Sequence, residues 1–317
     1  MKIKSTLATI ILGVFTLVSC DKGANVPAPK PAPTPDPDPT PSEVTEPAPC
    51  KYNVVAHRGG SSECGLPDNS RASLRYAMGK GCYASECDIY WTKDNDVIVA
   101  HADGSCAING LHPWEATVAE IRAKGKLSNG EEVPTLGEFI DIVMEKGSCT
   151  RLWLDIKNIT SPSTLTDYPI AATKRACEII KEKKAQKFVE FICTGNATVW
   201  KGAFIYTNMV GCNNGWMSNS APSNHKSNNS LWANLAATVA MSSVAGGTGT
   251  HTVQEFVDAG MSISVFNVDM KKGDGNAVYA DAAVQYYLDN YPKMKAICTN
   301  YPAWLMGKLA AKYPAKQ

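Results

Sequence analysis

The chain has 317 residues, 44% of them apolar, and a formal charge of +1 at pH 7. That apolar content is ample for a packed core in one large domain or two small ones. No long basic or acidic block interrupts the sequence, so composition gives no reason to expect nucleic acid or another polyanion as partner, and any basic site must be local.

In chain order, residues 1–20 open with Lys2 and Lys4, continue in an apolar run from Leu7 to Val18 and end in Ser19-Cys20. The apolar run falls short of the roughly 20 residues that cross a bilayer as a helix, so the pattern is that of a secretory signal. "TLVSC" also resembles the bacterial lipobox, whose cysteine becomes the lipidated first residue of the mature protein. Cys20 is therefore the expected membrane anchor, at the cell envelope outside the cytoplasm. Residues 21–50 carry proline at nearly every second position from Pro27 to Pro49, as in "PAPKPAPTPDPDPTP". Such a run builds neither helix nor sheet ladder and is expected to be an extended polyproline II tether, roughly 70 Å long at about 3.1 Å per residue.

Residues 51–317 form the remaining unit, close in length to the roughly 250 residues of a (β/α)8 barrel. Short apolar runs alternate with helical patterns, as in parallel βα units. Eight strands are predicted: Asn53 to Ala56, Ala84 to Tyr90, Val97 to Ala100, Arg151 to Ile156, Phe188 to Cys193, Ala237 to Met241, Ser262 to Val268 and Ala296 to Thr299. The capping boxes Thr135-Leu-Gly-Glu138 and Thr252-Val-Gln-Glu255 start two helices, and Gly147 and Gly260 stop them. The stretch from Asn208 to Ser230, rich in Asn, Ser and Gly, reads as loop. "AGGTGT", Ala245 to Thr250, lacks the strand-loop-helix context of a phosphate cradle and reads as an ordinary loop. Ten of the eleven cysteines lie from Cys50 onward. In an exported chain some should pair, and the absence of CxxC spacing argues against a thiolate metal centre.

The chemistry gathers at strand ends. "NVVAH" and "VIVAH" each close an apolar run with an imidazole, His57 and His101, and in a parallel barrel both would stand at the C-terminal face, where catalytic groups of this architecture collect. In "ASECDIYW" the spacing of Glu86 and Asp88 puts both on one strand face, and "WLDIKN" does the same for Asp155 and Lys157. Two oxygen ligands from one strand and a third from another suit a hard divalent cation. Either pair alone reads rather as a rim ion pair or a polar barrel layer. With Arg58 beside His57, the set fits a phosphodiester, whose transition state gathers charge that a cation and a guanidinium stabilise, while two imidazoles near neutral pKa exchange protons with the attacking and departing oxygens. His112, His225 and His251 receive no role, and the seven tryptophans read mostly as packing.

The blocks "VVAHRGG", "LPDNS", "ASECDIYWTKDNDVIVAHADG", "EVPTLGEF", "LWLDIKN", "SVFNVD" and "AICTNYP", in that order, resemble the glycerophosphodiester phosphodiesterase domain over nearly all of the chain after the tether. The resemblance implies a (β/α)8 barrel, His57 and His101 as the acid/base pair, Arg58 on the phosphate and Lys157 near it. It also implies Glu86, Asp88 and Asp155 as ligands of one divalent cation, Ca²⁺ or Mg²⁺, with Asp68 and Asn69 as supporting residues behind them. Its implied reaction is hydrolysis of glycerophosphodiesters to glycerol 3-phosphate and an alcohol, with attack by the neighbouring glycerol hydroxyl before water. Three positions depart from the family pattern: Asp68 in "PDNS" and Asp155 in "LDIK" stand where the family usually has Glu, and Phe266 stands where it often has Trp. Two rival readings are a phospholipase of the phosphatidylinositol type, which does not need the three carboxylates, and a barrel that binds phosphorylated ligands without turnover.

Overall fold

The computed structural model describes residues 46–159, 163–193, 197–241, 249–273 and 275–314. The signal segment, Cys20, the tether up to Thr45 and most of the Ala245–Thr250 run lie outside the described residues. Among the described residues, no helix is long and apolar enough to cross a membrane.

The strands, in chain order, are β1 Val54–Ala56, β2 Ala84–Trp91, β3 Val97–Val99, β4 Arg151–Ile156, β5 Val189–Cys193, β6 Asn213–Met217, β7 Trp232–Ala236, β8 Ser262–Phe266 and β9 Ala296–Thr299. The helices are α1 Ser61–Cys64, α2 Arg71–Gly79, α3 Val118–Lys124, α4 Leu136–Val143, α5 Tyr168–Glu182, α6 Ala197–Val210, α7 Pro222–Ser227, α8 Val253–Asp258, α9 Asp281–Asn290 and α10 Pro302–Lys312. All strands but β3 pair in parallel, and β1 joins both β2 and β9, so eight strands close into a barrel with the helices outside.

Two of the expected strands are corrected. Val97 to Ala100 is not a barrel strand but the return arm of a hairpin, antiparallel to β2. Only Thr92–Asp96 separate the two arms, and a parallel return needs a crossover of about a dozen residues. Ala237 to Ala240 is turn following β7, and Met241 makes only an isolated bridge to Thr252. In the stretch expected as loop, β6 and α7 appear. "NNGWM" carries residues depleted in strands, yet the position demands glycine: a Cβ on Gly215 would stand 2.4 Å from the Trp232 ring. The predicted count of eight thus held only because the hairpin arm and Ala237 to Met241 stood in for β6 and β7.

Thr135 forms the reciprocal capping box with Glu138 at the start of α4. At α8, Thr252 accepts from the Glu255 backbone, but the Glu255 carboxylate turns instead to His251 Nδ1 at 2.9 Å. Gly260 ends α8 at φ 66° and leads into β8. Apolar side chains on the outer strand faces pack against the helices in two large clusters. Val55, Trp153, Ile192, Trp232, Ala296 and Cys298 fill the barrel itself. Below them the buried Glu190 carboxylate accepts from Trp153 Nε1 (2.8 Å), the Tyr83 hydroxyl (2.8 Å), Asn213 Nδ2 (3.1 Å) and Lys295 Nζ (3.0 Å).

Candidate active site

Inward alternation along three adjacent strands builds the site. Glu86 and Asp88 stand on β2, Asp155 on β4, and the ladder places Asp88 directly beside Asp155. All three are buried, and one ligand oxygen from each lies within 4.8 Å of the others. Side by side in a low-dielectric setting, such like charges repel unless cations intervene. Lys157, two residues beyond Asp155, supplies one: its ammonium contacts Asp88 Oδ1 at 2.6 Å and also bonds Asp155. Arg58 supplies the other, with Nε 3.3 Å from Asp88 Oδ2 and Nη1 3.0 Å from Asp68 Oδ2.

The His-Arg-Gly-Gly turn explains how β1 delivers its groups. Arg58 takes φ 49° and Gly59 φ 85°, and a Cβ on Gly59 would stand 2.4 Å from the Ser73 hydroxyl. The tight turn points the Arg58 backbone N–H at Glu86 Oε2, 3.1 Å away. His57 Nε2 lies 3.8 Å from the same oxygen. Asn69, held at φ 55° and buried, donates Nδ2 to Asp88 Oδ2 at 2.8 Å and accepts the Asp88 N–H at 3.2 Å. Asp68 does not join the carboxylate trio; it holds Arg58 and accepts from Ser61. The shorter Asp155, by contrast, does reach the trio.

Burial, then the charges of Asp88 and Asp155, push the Glu86 carboxyl well above its usual range. Burial would raise Asp88 too, but Lys157 and Arg58 hold it below its ordinary value. Asp155 is raised, first by burial, with Lys157 opposing and Asp88 adding to the shift. Burial acts to lower Lys157, yet the three carboxylates keep its ammonium above the usual lysine range. Three buried carboxylates therefore face two fixed cations, so one lacks a counter-charge, and Glu86 is the one whose ionised form its surroundings disfavour most strongly. A donor set made only of hard carboxylate oxygens, in negative excess, fits a divalent cation.

Two groups that sequence reasoning left without roles hold His57. Asp269 accepts from Asn300 twice, backbone N–H to Oδ1 and Nδ2 to Oδ2, both at 2.8 Å, and from the Thr299 hydroxyl at 3.1 Å. With its amide nitrogen committed to Asp269, Asn300 turns Oδ1 toward His57 Nδ1 at 2.7 Å. Nδ1 is then the donor, and Nε2 faces the carboxylates. Both residues sit in "SVFNVD" and "CTNYP", blocks already singled out, but nothing in their spacing says that they meet.

His101 reaches the site by a different route from the one expected. β2 runs on past Asp88, the hairpin turns, and β3 brings the chain back so that the Ala100 N–H bonds the Asp88 carbonyl at 3.0 Å. His101 is exposed. Burial of part of its ring lowers its pKa, while Asp88 acts to raise it and Arg58 and Lys157 to lower it. It borders a surface depression shared with Asp68 and Asp103, beside the main cavity. That cavity, about 180 Å³, is lined on one side by His57, Arg58, Glu86, Asp155 and Lys157 and on the other by Ile192, Met217, Asn234 and Phe266, with Trp153 also in the wall.

The sequence matches the model of the glycerophosphoryl diester phosphodiesterase family over residues 57–303. The chain belongs to that family. A curated glycerophosphodiester phosphodiesterase from Caldanaerobacter subterraneus subsp. tengcongensis is 28% identical over 148 residues, a stretch covering 44% of this chain and 56% of that relative. Among solved structures, a glycerophosphodiester phosphodiesterase from Parabacteroides distasonis matches with a TM-score of 0.65 at 22% identity, covering 84% of this chain and 99% of that one. A phosphodiesterase from Oleispira antarctica, in complex with the product sn-glycerol-3-phosphate, matches with a TM-score of 0.58 at 20% identity, covering 80% and 95%. At these identities the structural likenesses establish the (β/α)8 fold of the family domain.

Proposed function

We propose that this family member hydrolyses glycerophosphodiesters to glycerol 3-phosphate and an alcohol, with one divalent cation and with proton transfer shared between His57 and His101. The observation that carries the reading is the buried Glu86–Asp88–Asp155 trio, its oxygens within 4.8 Å of one another, with Glu86 and Asp155 lining one cavity beside His57, Arg58 and Lys157. The named activity of the Caldanaerobacter relative and the product held by the Oleispira enzyme agree with it.

Glu86, Asp88 and Asp155 would hold the cation, Ca²⁺ or Mg²⁺, which when bound polarises phosphoryl oxygens as a Lewis acid. Arg58 and Lys157 are fit to meet the nonbridging oxygens, and Asp68 and Asn69 keep the Arg58 fork and the Asp88 carboxylate in place. One imidazole takes the proton of the attacking hydroxyl and the other protonates the departing alkoxide. The Asn300–Asp269 hold aims His57 Nε2 into the site in either protonation state. Glu86, a short distance from Nε2, steadies the ring when it is charged. The N-terminal pattern adds a lipid anchor at Cys20, which would keep the barrel at a membrane surface outside the cytoplasm.

The test is turnover of a panel of glycerophosphodiesters with chelator, Ca²⁺ or Mg²⁺, assayed for glycerol 3-phosphate. Activity that is lost on chelation and restored by cation is expected, and His57→Ala and His101→Ala should each lower kcat by about 10²–10⁴. A substrate with a p-nitrophenyl leaving group then separates the roles, because an alkoxide that needs no proton spares the variant lacking the acid. Cation binding without turnover of any diester would overturn the proposal.

A further inference from the structure

The N-terminal ends of β1, β2 and β4 are neighbours in the barrel, on the face opposite the active site, and each is preceded by a cysteine. Cys82 lies two residues before β2 and Cys149 two before β4, and continuing the ladder from Ala84 beside Arg151 sets these two cysteines in register. Cys50 lies just before β1. The sulfurs of Cys50 and Cys149 both donate to the Cys82 carbonyl at 3.7 Å, and Cys50 Sγ stands 3.0 Å from the Cys149 carbonyl.

The backbone reinforces this approach. The described chain starts at Glu46, which pairs with Lys187 at 3.2 Å, and the Ala48 N–H bonds the Ser148 carbonyl at 2.8 Å. Residues 46–50 therefore run along the loop that enters β4, and Cys50 and Cys149 need not travel to meet. Access separates this pair from the other thiols. Cys50 and Cys149 are half-buried and line a surface depression, whereas Cys82, Cys87, Cys177, Cys193, Cys212 and Cys298 are buried. Cys64 and Cys106, also half-buried, lie on the catalytic side and contact no second thiol among the described residues.

We propose that Cys50 and Cys149 are a modification site: an organic or protein disulfide oxidises them to a Cys50–Cys149 bond, with Cys82 remaining a thiol. One thiolate attacks a sulfur of the oxidant, forming a mixed disulfide and releasing one reduced thiol. The second cysteine then displaces the other half of the oxidant. Two S–H bonds are lost, one S–S bond forms, and the two electrons and two protons leave as two thiols of the reduced oxidant. The bond closes a loop across the β1, β2 and β4 entrances and fixes the point at which the N-terminal segment joins the barrel, independently of chemistry at the opposite face.

Purified full-length protein incubated with oxidised glutathione, then denatured in N-ethylmaleimide, digested and mapped by mass spectrometry, tests the site. A reductant-sensitive cross-link between the Cys50 and Cys149 peptides is expected, with Cys82 alkylated, and the link should be absent from Cys50→Ser and from Cys149→Ser. Alkylation of both cysteines after oxidation, a persistent glutathione adduct on either, or a link from either to Cys82 would overturn the assignment.

Discussion

Glu86→Gln separates charge from shape at the centre of the site. The amide keeps an oxygen for the Arg58 N–H, now 3.1 Å from Glu86 Oε2, but removes the surplus negative charge. At the 4.8 Å limit of the trio, one unit charge acting on another is worth about 3 kcal/mol at an effective dielectric near 20. A cation that loses one carboxylate ligand should therefore bind at least about 10²-fold more weakly. With Ca²⁺ or Mg²⁺ at about 100 times its dissociation constant, the parent protein gains about 2.7 kcal/mol, or about 5–10 °C in Tm. At the same concentration the variant should gain only about 1 °C. Without cation the variant should be at least as stable as the parent, because a buried, repelled carboxylate is gone. Thermal unfolding with chelator and across a cation titration reads both effects. Equal cation-induced shifts in the two proteins, or a less stable variant under chelation, would refute the charge assignment.

Three further outcomes follow from other parts of the barrel. Asn300→Leu removes the acceptor for His57 Nδ1 and leaves Asp269 short of a donor; kcat should fall about 10- to 100-fold, less than the full acid–base contribution, with little change in KM, and an unchanged kcat would show that His57 needs no such hold. Glu190→Leu strands Lys295 and the Trp153 and Tyr83 donors beneath the pocket and should cost about 3–5 kcal/mol, read as a urea midpoint. Burial, the main cause, holds His225 at about 4 against an ordinary 6.5, partly offset by its bond to the Ser218 carbonyl. The unfolded chain then takes up this proton first as pH falls, so stability present above about 6.5 is lost progressively toward 4, by about 3 kcal/mol in all. His225→Phe should remove that slope, and parallel pH profiles for parent and variant would contradict it.

Much of the site was legible because its signals are local. Glu86 with Asp88, and Asp155 with Lys157, are two residues apart on strands, so periodicity alone puts each pair on one face. The same reading worked for the Thr135 box and would have found the Thr117–Glu120 box that starts α3. What escaped depends on contacts between distant segments. Asp269 and Asn300 meet only because β8 and β9 are neighbours. β6 was hidden because "NNGWM" answers to the Trp232 ring on the neighbouring strand rather than to strand propensity. The hairpin arm was the avoidable error, since the shortness of the Thr92–Asp96 turn already forbids a parallel crossover. The even cysteine number suggested pairs, and geometry singles out one couple, Cys50 and Cys149.

That corrected hairpin bears on how the site works. If Val97 to Ala100 were a barrel strand, His101 would project from a rim position of its own, with its own crossover helix behind it. Instead β2 carries Glu86 and Asp88 through the barrel and continues past the rim, and the antiparallel arm returns the chain to the level of Asp88. One continuous hairpin thus delivers two carboxylates and an imidazole, so their relative positions depend on a few ladder bonds and not on helix packing. His57, on β1, is tied down through Asn300 and Asp269. His101 is exposed and has no hydrogen bond among the described residues. The charged groups therefore come from β1, β2 and β4 with their following residues, while β5 to β8 present Ile192, Met217, Asn234 and Phe266. On the proposed function, a diester entering this mouth would meet its counter-charges on one side only, which would orient the phosphoryl group toward that side and its uncharged portion toward the other.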